Sequence, residues 1–91
     1  VFERLNDWLN ENIETFDFFQ PYAAYRGGVQ REPWHLSYAP VSIDALEMLT
    51  PDLIAAALKE SELLGRETVL ARLNDIYRVY VVNITPPSAV A

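Results

Sequence analysis

Glu32 and His35, in the segment Arg31-Glu32-Pro33-Trp34-His35, are the residues here whose types and spacing suit chemistry. A carboxylate can take up and return a proton, and an imidazole can do the same or ligate a metal. His35 is the only histidine among 91 residues, and there are no cysteines. A disulfide framework and a thiolate metal site are therefore excluded. A lone histidine is ordinarily structural or solvated. The acid three positions before this one, with Pro and Trp between, singles it out.

Two metal geometries compete for the pair. On a helix, Glu-x-x-His shares one face and recurs in carboxylate-bridged di-iron bundles. Such a site needs a second pair, and the chain has no second His. Pro33, Gly27, Gly28 and Pro40 also oppose a long helix here. On a strand, residues three apart point to opposite faces. Glu32 is then expected on a bend ahead of a strand over Trp34 to Tyr38, from which it reaches the side that His35 faces. Pro33 suits that bend, because its fixed φ and missing N–H fit a strand start.

The elements that must position the pair follow from the pattern around it. Phe2, Leu5, Trp8, Leu9, Ile13 and Phe16 recur at three- and four-residue spacing and predict a helix ending near Glu14 or Thr15. Residues 16 to 41 are aromatic, with Gly and Pro punctuation. They predict a turn at Gly27-Gly28, a short strand near Asp17 to Gln20 and the better strand at Trp34, ended by Pro40. Trp8, Trp34 and the other aromatics are expected in the core. Ser42 is a plausible N-cap for a helix over Ile43 to Leu49. Thr50-Pro51-Asp52 is a stronger start, with a capping hydroxyl, Pro at the first helical position and an acid at the positive end of the dipole. Leu53, Ile54, Ala57, Leu58 and Leu64 line one side of that helix, and Gly65 suits its left-handed end. A last helix carries Val69, Leu70, Leu73, Ile76, Tyr77 and Tyr80 on one stripe. Tyr80 to Ile84 extends it or turns into a short strand. The two final helices should form an antiparallel hairpin. Thr85-Pro86-Pro87-Ser88 and the small residues after it read as a loose tail. The fold class is α+β.

The segment from Gly27 to Tyr38, Gly-Gly-Val-Gln-Arg-Glu-Pro-Trp-His-Leu-Ser-Tyr, resembles the end of the catalytic core in zinc D-alanyl-D-alanine carboxypeptidases of the VanY type, in the LAS metallopeptidase group. The likeness covers roughly residues 2 to 41 and includes the preceding helix with Trp8 and Leu9, then Phe16-Asp17-Phe18. It implies His35 as the last zinc ligand and Glu32 as the general base that takes a proton from zinc-activated water. It also implies that Trp34 packs away from the metal and that Ser37 lines the cleft; both are candidate substrate-binding residues. Zinc lowers the pKa of its water towards about 7 and polarises the scissile carbonyl.

The chain departs from the family pattern in lacking the other two ligands, a His and an Asp. The expectation is a fragment, residues 1–41 closing a catalytic core and 42–91 forming a helical extension, inactive alone. Its partners would be peptidoglycan stem peptides, the missing N-terminal part of the same protein, and a second copy through an exposed strand edge. The family would place the parent in the bacterial cell envelope or periplasm. A related peptidoglycan endopeptidase and a non-catalytic helical interaction module are the rival readings.

Composition narrows the classes further. A net charge of −6, with seven scattered Lys and Arg, opposes nucleic-acid binding. No run approaches the roughly 20 apolar residues of a transmembrane helix.

Overall fold

The N-terminal apolar stripe folds into helix α1, Glu3–Asn12, in a computed structural model that describes residues 2–88. A 3-10 turn, Ile13–Phe16, follows and ends at Asp17, which takes a left-handed φ of 65°. Asp is among the few side chains that tolerate that region. The reversal feeds strand β1, Phe18–Phe19, which pairs antiparallel with β2, Ser37–Tyr38. Phe18 faces Tyr38 across the pair with ring centroids 5.1 Å apart, and Phe19 pairs with Ser37.

The strand expected from Trp34 is shorter than its aromatic pattern predicts. Trp34 lies in a turn, and the His35 N–H donates to the Glu32 carbonyl at 3.1 Å, so it is not free for a ladder. Strand β2 ends before Pro40, as expected, because helix α2 spans Ala39–Met48 and takes the proline into its first turn. No intrahelical donor is missed there. Ser42, expected as an N-cap, therefore sits inside α2, and its hydroxyl is buried without a partner among the described residues.

Thr50 does cap helix α3, Pro51–Glu60: its Oγ1 accepts from the Leu53 N–H at 3.2 Å. Helix α3 ends at extended Ser61, ahead of Gly65. That glycine is left-handed, φ 80°, but leads into α4, Arg66–Ala71, instead of closing α3. The expected last helix breaks at Arg72 (φ −112°, ψ 12°) into α4 and α5, Leu73–Ile76, then a π-helical turn, Tyr77–Val81. The helices before and after residues 61–65 pack together as the expected hairpin. The Tyr77 hydroxyl ties it to the end of α2 by donating to the Leu49 carbonyl at 2.8 Å.

Thr85 to Ser88 are docked, where a loose tail is expected. The Thr85 N–H donates to the Pro21 carbonyl at 2.8 Å, and the Ser88 hydroxyl donates to Glu14 Oε1 at 2.6 Å. The small residues after Ser88 lie outside the described residues.

The core is thin. Among the described hydrophobic residues, Ile13, Phe19 and Leu73 are buried. The accessible surface is 7153 Å², against about 5,400 Å² for a folded monomer of this mass. The radius of gyration is 15.7 Å, against about 12 Å for a compact domain of this length. Trp8 and Trp34, expected in the core, are 50% and 65% exposed, and Leu64 is 95% exposed. Among the described residues, a two-stranded sheet and short helices offer no second layer to cover α1. No helix among the described residues is long and apolar enough to cross a membrane.

Candidate functional site

Pro33 and Trp34 form the centre of a tight turn from Glu32 to His35, closed by the His35 N–H to Glu32 carbonyl bond at 3.1 Å. Pro at the second position of such a turn fixes φ in advance. Loop closure brings the two side chains together. His35 Nδ1 lies 2.6 Å from Glu32 Oε2. Glu32 therefore sits on a bend, as expected from Pro33, while His35 shares that turn instead of standing on a strand.

The turn is held from outside itself. The Glu32 N–H donates to the Tyr22 carbonyl at 2.9 Å, and Gln20 Nε2 donates to the Pro33 carbonyl at 2.8 Å. The Tyr22 ring meets the His35 ring edge-on at 5.6 Å and 78°. The Trp34 ring lies 6.0 Å from the imidazole on a tilted plane. The Glu32 side chain is 28% exposed and that of His35 is 52% exposed. The pair thus sits on a supported, solvent-facing shelf.

The other expected site residues take different positions. Trp34 does not pack into a core. It leans over the apolar side of α1, where Phe2, Leu5, Leu9 and Pro33 line an open groove with it. Ser37 is half-buried on β2, paired with Phe19, and makes no hydrogen bond to Glu32 or His35 among the described residues. Tyr22 and Gln20 were missed by sequence reasoning. Their contribution runs through one main-chain carbonyl, one ring contact and one amide across a loop, and none of these leaves a pattern in residue types.

Chemically, the pair sets a carboxylate oxygen directly against an imidazole nitrogen. Nδ1 is the nitrogen in close contact with Oε2, and Nε2 stands on the other side of the ring. A catalytic zinc ordinarily takes three protein ligands. Among the described residues no three His, Cys, Asp or Glu side chains gather in metal-binding range. By themselves these two side chains do not complete a zinc site.

Comparison with known proteins bears on the same segment. Residues 2–41 match the VanY family, described as D-alanyl-D-alanine carboxypeptidase. The matched stretch contains α1, both strands and the Glu32–His35 turn. The chain is also 34% identical over 83 residues to an uncharacterized protein of Haemophilus influenzae. That alignment covers 89% of this chain and 63% of the relative, so the chain spans less than two thirds of the relative's length. No solved structure matches the chain.

Proposed function

We propose that this chain contributes the closing segment of a zinc D,D-carboxypeptidase site acting on peptidoglycan stem peptides, with His35 as a zinc ligand and Glu32 as the proton-transfer group. The observation that carries the reading is the 2.6 Å approach of Glu32 Oε2 to His35 Nδ1 on a turn pinned by Tyr22 and Gln20. The family match over the same residues supports it.

Zinc, when bound, would polarise the scissile carbonyl and activate water. With His35 the one ligand supplied here, the remaining ligands would come from elsewhere in the parent polypeptide. This chain alone is then inactive. What its own residues do is hold and move a proton. Glu32 is fixed at its backbone N–H, so its carboxylate reaches the imidazole edge without loop rearrangement. From there it accepts a proton from the attacking water and returns it to the leaving D-alanine amine. His35, braced by the Tyr22 ring edge, presents a ring nitrogen at a fixed orientation. Trp34, exposed beside it, would form a wall of the peptide cleft. The related endopeptidase reading calls for a longer cleft, and the two short strands give no specific observation in its favour.

The test is a zinc titration of this chain and of the full in-frame polypeptide that contains it. Tight binding confined to the longer polypeptide, and lost on His35→Ala, supports the proposal. Absence of zinc binding in both, or binding untouched by His35→Ala, overturns it and favours an interaction module.

A further inference from the structure

The C-terminal half reaches back to the loop that carries the site. Asn83 and Arg26 are joined by two hydrogen bonds of opposite sense, one through the Arg26 side chain and one through its carbonyl. Arg26 Nε donates to Asn83 Oδ1 at 3.1 Å, and Asn83 Nδ2 donates to the Arg26 carbonyl at 2.7 Å. Two residues on, the Thr85 N–H donates to the Pro21 carbonyl. Beyond the Arg26 anchor, Gly28 lies so close to the π-helical turn that a Cβ there would collide with the Val79 carbonyl oxygen. Gly28 has no left-handed φ, so its lack of a side chain answers a packing need. The chain from Val79 to Thr85 thus crosses the back of loop 20–31 as a strap.

The strap's anchors flank Tyr22. Pro21 is its direct neighbour and Arg26 closes the far side of the bend. Tyr22 supplies two of the outside contacts that fix the pair: its carbonyl accepts the Glu32 N–H, and its ring meets His35 edge-on. We propose that Asn83 and Thr85 are positioning residues that set the Glu32–His35 geometry through Tyr22, making the C-terminal half a working part of the site. Calling this pair the site rests on the peptidase reading; the mechanical coupling does not.

Because His35 is the only histidine, its ring signals in a nuclear magnetic resonance spectrum of the whole chain are unambiguous. Two readouts are taken without zinc or substrate: the nuclear Overhauser contact between the Tyr22 and His35 rings, and the His35 ring nitrogen shifts. Asn83→Asp keeps the acceptor for Arg26 but loses the donor to its carbonyl. Thr85→Pro removes the N–H given to Pro21. Each is expected to abolish the Tyr22–His35 contact and move the ring nitrogens towards those of a histidine in an unstructured peptide. The Leu53 amide signal, which reports the Thr50 cap, should stay in place. Asp75→Ala, which removes the exposed ion pair with Arg78, should change neither readout. Unmoved His35 signals in both strap variants overturn the proposal. Collapse of the Leu53 signal in Asn83→Asp overturns it too, since the strap would then govern the whole fold and not the site. Failure of the peptidase reading appears elsewhere, in the zinc titration, and leaves this result standing.

Discussion

Loop 20–35 and the outer side of α1 lie next to each other and are built on opposite terms. In the loop, main-chain and side-chain polar groups find named partners: Gln20 with Pro33, Pro21 with Thr85, Tyr22 with Glu32, Arg26 with Asn83. Along α1, Phe2, Leu5 and Trp8 are each at least half exposed, and Phe16 beyond it is 57% exposed. The loop is irregular in backbone yet determined in geometry. The helix is regular in backbone yet unfinished in packing. Local order is therefore a poor guide to where free energy is concentrated here. A loop can be fixed by a handful of bonds to distant chain, while a helix with a good apolar stripe still lacks a surface to bury it against.

Substitutions can break that contrast. Phe19→Ala empties one of the few buried positions beside the loop and should cost about 3–5 kcal/mol, read by denaturant unfolding. Gly28→Ala drives a methyl group into the Val79 carbonyl and should cost about 1–3 kcal/mol, since the obstructing atom is backbone. Thr50→Ala, which removes the α3 cap far from the loop, should cost about 1 kcal/mol. Trp8→Gln, on the open side of α1, should change unfolding free energy by no more than about 0.5 kcal/mol despite the loss of a large aromatic. The same variant should lower concentration-dependent association in light scattering, because exposed apolar surface is what a second copy would cover. A large stability loss for Trp8→Gln with little for Gly28→Ala would invert the comparison.

The sequence made the local parts of this arrangement legible. The apolar spacing of α1, the Thr50-Pro51 start of α3 and the bend at Pro33 each depend on neighbours a few residues away, and each is found. Juxtaposition of Glu32 with His35 was readable for the same reason, since one tight turn suffices. Features that failed to show are those settled at long range. Arg26 and Asn83 are 57 residues apart, and neither residue type announces the other. Trp34 looked like core because large aromatics usually are, yet burial requires a facing layer that these helices do not provide. Helix α2 began three residues ahead of Ser42 because Pro40 is tolerated in a first turn as readily as it ends a strand.

The 2.6 Å contact leaves Glu32 two chemical parts to play, and they differ in size. A general base acts on the reaction itself and contributes about 10²–10⁴-fold in rate. A carboxylate that only orients a metal-bound imidazole contributes about 10–100-fold, largely through metal affinity. The decisive measurement is D-alanine release from a peptide ending in D-Ala-D-Ala, by the full in-frame polypeptide at saturating zinc, with and without Glu32→Gln. Glu32 as base requires a loss of about 10²–10⁴-fold that added zinc does not restore. Release at the wild-type rate once zinc is saturating would contradict it.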